Sequence, residues 1–419
     1  YSYEAILRGR KGVRKQLRDR YNRIKGSYMD GKYDVEARAG EDLYTSIDVE
    51  LQLLGESLMQ NKIGSIVAIE PSTGEILALV TSPTYDPNLL TGRQRNKMYA
   101  QLLLDDLNPL MHRALQGTYP PGSTFKVVNA LIGEQMGVLY PEKKYSCAGA
   151  FRLGGLTVGC HSHYSPLNLA GSIQHSCNTY YCWAFRDMID KNNFPDTRTG
   201  FNEWRRQVVS FGFGSSFVSD LPYMNPGTIP YAENYDNQHG KNRWSALSII
   251  SLAIGQGEIT VTPVHLANLC AIIANKGYYY MPHIVKAVGA PEHLLQKYAP
   301  IHTAIDPAYF DVIIEGMHLV TIAGTATNAR IDSIEVCGKT GTAQNPHGEN
   351  HSLFIAFAPK EGPKIAIAVV VENAGYGSTW AAPIASLMME KYLKGAVKRE
   401  YLIKYIENTT LLHKRKKKI

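Results

Sequence analysis

"YPPGSTFK", residues 119–126, stands directly ahead of a helical pattern that continues through "VVNALIGEQMG" to residue 137. The helix opens after Pro120-Pro121-Gly122, so Ser123 lies at its start and Lys126 three residues further on. That spacing puts a hydroxyl and an amine on one helical face, within reach of each other. Serine is a weak nucleophile until a base takes its proton. Lysine serves as that base only if burial, neighbouring cations or a helix N-terminus pull its pKa well below the free value of about 10.4. Taken alone, the same four residues also describe a capping serine beside a surface lysine.

Outward from this helix, the chain is framed by two apolar hairpins. "GSIVAIEPSTGEILALVTSP" (64–83) carries two branched-rich runs about the turn Pro71–Gly74, and "SLFIAFAP" (352–359) with "KIAIAVVVEN" (364–373) repeats the pattern far downstream. Both hairpins are apolar on both faces, as strands covered by helices are. Leu51, Leu54 and Leu58 mark a helix before the first hairpin, with Asp48 as its N-cap. Further helices are read over 263–277, opening on Pro263, and from about Trp380 to Leu393. The order hairpin, helices, hairpin, helix predicts an α+β fold. One antiparallel sheet draws strands from both ends of the domain, and the helical middle forms a second lobe across a cleft.

Two more short stretches carry chemistry. "GKTGTAQ" sets Lys339, Thr340, Gly341 and Thr342 on a strand, where a cation and hydroxyls on one side suit a carboxylate and the glycine permits close approach of a ligand backbone. "HSCN" holds Ser176 and Asn178 two residues apart, a hydroxyl and a carboxamide able to line a cleft. Each alone also reads as an ordinary polar edge strand or helix end.

Composition limits the alternatives. At 419 residues, 44% hydrophobic and 19% charged, the chain is long enough for one large domain with a smaller one. Residues 8–25 hold nine Lys/Arg against one Asp, and Lys414–Lys418 form a basic tail. With a total of +7, the remainder is net acidic, which argues against a nucleic-acid groove in the core. The two basic ends read as solvated termini or as segments lying on an anionic surface. The longest apolar run, Ile365–Val371, is far too short to cross a bilayer. The chain begins at Tyr1 and reads as a trimmed fragment whose membrane anchor, if any, lies upstream. Six cysteines are too few for a disulfide scaffold, yet Cys147, Cys160 and Cys177 fall within 31 residues.

In the order Ser-x-x-Lys, Ser-x-Asn, Lys-Thr-Gly, the three stretches match the signature of penicillin-binding proteins and serine β-lactamases. With "SIDVELQ", "VAIEPSTGEILALVTSPTYDPN", "HSCNTYY", "AIGQGEITVTPVHLAN" and "STWAAPIA", residues 40–395 resemble the penicillin-binding protein 2 family, the class B, monofunctional D,D-transpeptidases of cell-wall elongation and rod shape. The resemblance implies a remnant of an N-terminal pedestal over 1–44, a transpeptidase domain over 45–395 and a basic C-terminal tail over 396–419. It implies that Ser123 attacks the penultimate D-Ala carbonyl of a peptidoglycan stem peptide, with Lys126 as base. Ser176 would relay a proton, Lys339 would keep Lys126 neutral by repulsion, and Asn178 would hold the peptide amide. Thr340 and Thr342 would take the terminal carboxylate, and the oxyanion hole would be Ser123 N–H with Thr342 N–H. β-Lactams imitate D-Ala-D-Ala and would trap Ser123. The implied partners are a membrane glycan polymerase and other elongation proteins, with no nucleic acid, at the periplasmic face of the inner membrane. A D-Ala-D-Ala carboxypeptidase, or a β-lactamase or β-lactam sensor of the same fold, remains the alternative, although no Glu-x-x-Leu-Asn stretch offers a hydrolytic base.

The spacing C147-x12-C160-x2-H163-x13-C177 fits a Cys3His structural zinc site, and some relatives in this family carry zinc in this region. His161 is an alternative ligand to His163. A Cys147–Cys160 disulfide and unlinked core cysteines are the alternatives to metal. If Ser176 and Asn178 face the cleft, Cys177 points away from it into the 147–163 loop. Cys182, Cys270 and Cys337 read as core residues. The chemistry itself needs no cofactor.

Overall fold

The computed structural model describes residues 2–190, 194–295, 298–346 and 348–412. Both hairpins form as expected. Strands β1 (Gly64–Ile69) and β2 (Ile76–Ser82) come from the first, and β3 (Cys337–Ala343) precedes the second, which supplies β4 (His351–Ala358) and β5 (Ile365–Val371). Together they make one antiparallel sheet of order β3-β4-β5-β1-β2. The two ends of the domain meet at its centre, where Ala366 pairs with Ile69 and Val371 with Gly64. Every residue of β1 and β5 is buried. Such strands need helices on both faces, which is why neither run alternates apolar with polar.

Helix α1 (Val49–Met59) starts where the Asp48 carboxylate accepts the Leu51 N–H at 2.9 Å, and it buries Leu51 and Leu58. Helix α2 (Lys126–Gln135) continues a 3-10 turn over Gly122–Phe125. The helical lobe adds α3 (Asn178–Asp190), and α4 (Pro263–Ala274) lies against the sheet, its Cys270 Sγ 3.8 Å from Ile367 O. Nearly all of α4 is buried, consistent with its apolar composition on every side. Helix α5 (Phe310–Ala323) runs beside β3, and α6 (Ala381–Lys394) meets α1 at Gly55, where an added Cβ would lie 3.0 Å from Met388 Cε.

Two segments depart from the sequence reading. The expected loop over 147–163 contains a hairpin, Ala150–Leu153 with Leu156–Gly159, turning on Gly154 and Gly155 at positive φ. The segment expected as a basic tail contains helix α7 (Glu400–Asn408), with Ile406 buried. Lys62, itself fully buried, donates from Nζ to Ile406 O (2.6 Å) and Thr409 O (3.2 Å) at the end of α7 and to Gln60 O (3.0 Å) at the end of α1, and so ties the two helix ends together. Lys414–Lys418 lie outside the described residues.

Residues 2–42 form a peripheral module with a short helix (Glu4–Arg8) and a ladder of Gln16–Arg18 with Ile24–Ser27 whose residues are all exposed. Its nine basic residues between 8 and 25 face solvent. Leu43–Thr45 then pairs with Val285–Val288, joining the module to the domain. Among the described residues no helix is long and apolar enough to cross a membrane.

Lys62→Ala should lower unfolding stability by about 2 kcal/mol, since charge-assisted hydrogen bonds to buried carbonyls are lost. Limited proteolysis should then cut first around α7; an unchanged denaturation midpoint and cleavage pattern would show that Lys62 does not hold this helix.

Candidate active site

A cleft of about 500 Å³ opens between the sheet edge and the helical lobe, and Ser123, Ser176, Asn178, Thr340 and Thr342 all line it. Ser123 occupies the first turn of its helix, where N–H groups have no intrahelical acceptor. Gly122 makes this placement possible. Its φ of +55° is left-handed, and an added Cβ would stand 2.5 Å from Thr342 O, so the Ser123 turn and β3 touch backbone to backbone. Gly341 does the same from the strand, since a Cβ there would lie 2.8 Å from Thr124 Cγ2 and 3.1 Å from Pro121 O.

Ser176 follows the helix Leu169–Gln174 and adopts φ +52°, a sparsely populated conformation for a residue with a side chain. Helix α3 begins two residues later at Asn178. Cys177 between them is buried and sits with the other thiols, as the alternation about this turn requires.

The polar centre is almost dry. Lys126 and Lys339 are both fully buried and both reach Ser176: Lys126 Nζ is 3.2 Å and Lys339 Nζ 2.7 Å from its Oγ. Lys126 also donates to Ser176 O and to Asn178 Oδ1, each at 2.6 Å, while Asn178 Nδ2 donates to Gly159 O at 2.8 Å. Burial lowers the Lys126 pKa to about 8. Burial first, and the charge of Lys126 second, push Lys339 well below the usual lysine range. The depression of Lys126 is thus mainly desolvation, whereas the resemblance placed it on repulsion from Lys339.

The strand reading needs one correction. Thr340 and Thr342 alternate with Lys339 along β3, so they leave opposite faces. The threonines line the cleft, and Lys339 comes from beneath to meet Ser176.

Several cleft residues were not singled out from sequence. Thr325 Oγ1 lies 2.7 Å from Thr340 Oγ1, and Gln256 Nε2 donates to Thr342 O at 3.0 Å. Ile254, Gln344, Asn350 and the stretch Tyr376–Ser378 also line the cleft, as does His161, which the sequence offered only as a metal ligand. "AIGQGE" and "STWAAPIA" held the only sequence signal, a family likeness without a local chemical pattern.

Behind Ser176 the four expected metal-ligand residues converge. One ligand atom each from Cys147, Cys160, His163 and Cys177 lies within 4.8 Å of all the others. Cys160 Sγ is 3.5 Å from His163 Nε2 and 3.8 Å from Cys177 Sγ. None of the six cysteines forms a disulfide. The N-terminus of α3 faces this cluster: Asn178 N–H points at Cys160 Sγ and Tyr180 N–H at Cys177 Sγ, both at 3.3 Å.

Sheet order, cleft and motif geometry together define a penicillin-binding fold. The chain belongs to the penicillin-binding protein transpeptidase domain family, whose description matches residues 64–390. It is 34% identical to the peptidoglycan D,D-transpeptidase MrdA of Acinetobacter baumannii, across 94% of this chain and 59% of the relative, and 29% identical to MrdA of Escherichia coli K12, across 90% and 61%. The chain therefore spans about three fifths of these relatives. It is 31% identical to PbpA of Mycobacterium tuberculosis, also a peptidoglycan D,D-transpeptidase, across 85% of this chain and 73% of that one. The crystal structure of Pseudomonas aeruginosa PBP2 in complex with WCK 5153 superposes with TM-score 0.76 at 33% identity, covering 87% of this chain and 79% of that one.

Gly122→Ala should separate the Ser123 turn from β3 while leaving Ser123 and Lys126 in place, and should slow labelling by a fluorescent penicillin at least tenfold, on the order of a lost oxyanion contact. Labelling at the unsubstituted rate would mean that the close approach is not needed.

Proposed function

We propose that this chain is the transpeptidase part of a peptidoglycan D,D-transpeptidase of the penicillin-binding protein 2 type. The observation that carries the reading is a dehydrated lysine, one helical turn from a cleft-lining serine, whose amine is held by Ser176 and Asn178. Neutral Lys126 takes the Ser123 proton as Oγ attacks the penultimate D-Ala carbonyl of a stem peptide. The oxyanion forms between Ser123 N–H and Thr342 N–H. The C–N bond breaks, a proton passes through Ser176 to the leaving amine, and free D-Ala departs. An amine from a neighbouring stem peptide then attacks the ester and returns Ser123 to its hydroxyl form, with the amine's proton collected by the same Lys126–Ser176 pair. Thr340 and Thr342 face the position of the substrate carboxylate. Asn178 has one amide proton and one lone pair left over for the peptide, with the others bound to Gly159 and Lys126. The M. tuberculosis penicillin-binding protein A structures with ceftriaxone, imipenem and penicillin G acyl-enzymes, 27–28% identical to this chain, support β-lactam capture at Ser123.

We also assign a structural zinc ion to Cys147, Cys160, His163 and Cys177. Tetrahedral zinc, at about 2.3 Å from sulfur and 2.0–2.1 Å from nitrogen, requires S···S near 3.8 Å and S···N near 3.5 Å. The separations from Cys160 to Cys177 and to His163 agree with these. His163 Nδ1 lies 2.7 Å from Tyr164 O, which leaves Nε2 to the metal and favours His163 over His161. Bound there, zinc would cross-link the 147–163 segment to the start of α3.

A peptidoglycan substrate puts the cleft on the periplasmic side of the inner membrane. A synthase-complex structure described as coordinating polymerization and crosslinking, similar at TM-score 0.80 and 27% identity, supports a membrane glycan polymerase as partner, alongside other elongation proteins.

Intact-mass measurement after penicillin exposure should show one adduct, lost in Ser123→Ala; no adduct on well-folded protein would defeat the reaction. Acylation should quicken from pH 7 to 9 with a midpoint near 8, because protonated Lys126 cannot accept a proton and deprotonates as pH rises through that value. A flat profile, or normal labelling of Lys126→Ala, would remove Lys126 as base. Metal analysis should find about one zinc per chain, and Cys177→Ser should lower melting temperature and acylation together. Zinc-free protein with the full melting temperature would end that assignment.

A further inference from the structure

Three segments meet at the mouth of the cleft: the Pro121–Phe125 turn, β3, and the turn over Ile250–Gly257. The last belongs to none of the catalytic motifs, yet it is fastened to the nucleophile helix at both ends. Gly255 O accepts the Gly122 N–H at 2.8 Å. Buried Asn129 of α2 donates from Nδ2 to Leu252 O (3.1 Å) and Ala253 O (3.0 Å), while its own Oδ1 is held by Trp204 Nε1 at 2.8 Å. The turn also has little slack. Gly255 and Gly257 are both left-handed, and an added Cβ would lie 2.2 Å from Gly122 O in the first case and 2.5 Å from Ser251 Oγ in the second. Between these glycines, Gln256 alone reaches across to the sheet, through its hydrogen bond to Thr342 O.

β3 is an edge strand with β4 as its one neighbour in the sheet. In a strand, the N–H and C=O of one residue point to the same side. Because Thr342 O is taken by a group outside the sheet, the Thr342 N–H also projects from the open edge, toward Ser123. The glycine contact at Gly122 limits how near β3 can come, but a steric contact cannot stop the strand from drifting outward. An attractive link is needed for that.

We infer that Gln256 is a positioning residue for the oxyanion hole, a brace from the Ile250–Gly257 turn, itself fastened to the nucleophile helix, to Thr342 that fixes the spacing of the Thr342 and Ser123 N–H groups. This rests on the acyl-transfer reading above. Oxyanion donors act only when they sit about 2.7–3.1 Å from the developing charge, so a strand free to shift by a fraction of an ångström loses much of their effect.

Gln256→Ala removes the brace, and Gln256→Glu keeps its shape while turning the donor into an acceptor facing a carbonyl. Both variants should melt like the unsubstituted protein and bind penicillin with an unchanged noncovalent dissociation constant, yet acylate Ser123 about tenfold more slowly or worse. Infrared difference spectra of the acyl-enzyme should show the ester carbonyl band moved to higher frequency, as its hydrogen bonds weaken. If Gln256→Ala fails to fold, Gln256→Glu decides. Unsubstituted rates in the variants, or slower rates with the carbonyl band in place, would overturn the inference while leaving Ser123 acylation intact. Failure of the unsubstituted protein to form any adduct would overturn the acyl-transfer reading and this inference with it.

Discussion

A single hydroxyl, that of Ser176, sits between two buried lysine amines, and the local structure is arranged around it. Burial lowers the pKa of both amines, and the charge of Lys126 lowers that of Lys339 further, because two ammonium groups cannot share a dry pocket cheaply. Holding the hydroxyl there requires a backbone turn that residues with side chains rarely adopt. The strain is contained because both sides of the turn are helix ends, Leu169–Gln174 before it and α3 after it. Asn178, on the far side, joins Lys126 to Gly159 and so ties the amine to the hairpin over 150–159. The cysteine cluster lies behind the same turn, which makes one short stretch the junction of the proposed base, relay and metal.

The second constraint is proximity of backbones. Gly122 and Gly341 let the Ser123 turn and β3 touch, and Gly377 packs over the strand so closely that a Cβ would lie 2.5 Å from Gly341 O. The cleft is therefore bounded on one side by main chain, which presents fixed N–H and C=O groups, and on the other by buried side chains. That division suits a reaction in which charge appears at one known point.

Much of this was legible in the sequence because it is local. Asp48 as a cap, the two hairpins and the Pro-opened helix each follow from residues close together in the chain. The order of the three motifs fixed the family before any contact was known. What escaped was either a matter of strand geometry or non-local. Alternation along β3 sends Lys339 under the strand, and a three-residue motif read as one surface misses that. Gln256 meets Thr342 across 86 residues, and nothing in "AIGQGE" announces it. Helix α7 went unread because the basic charges nearby suggested a solvated end, although Leu402, Ile403 and Ile406 hold a helical spacing. The hairpin over 150–159 was hidden by its cysteine-rich flanks, despite a Gly154-Gly155 pair that marks a tight turn.

The close-packed glycines around the cleft also limit which substitutions the proposed site can accept. At Gly122, Gly255, Gly341 and Gly377 any side chain collides with neighbouring main chain or side chains. Under the proposed acyl transfer, substitutions there would slow capture of a β-lactam and of a stem-peptide donor together. The rim is less constrained: Tyr376 stands largely exposed beside the cleft. A ligand that takes its contacts from the main-chain wall would therefore offer selection fewer viable escapes than one that leans on the rim.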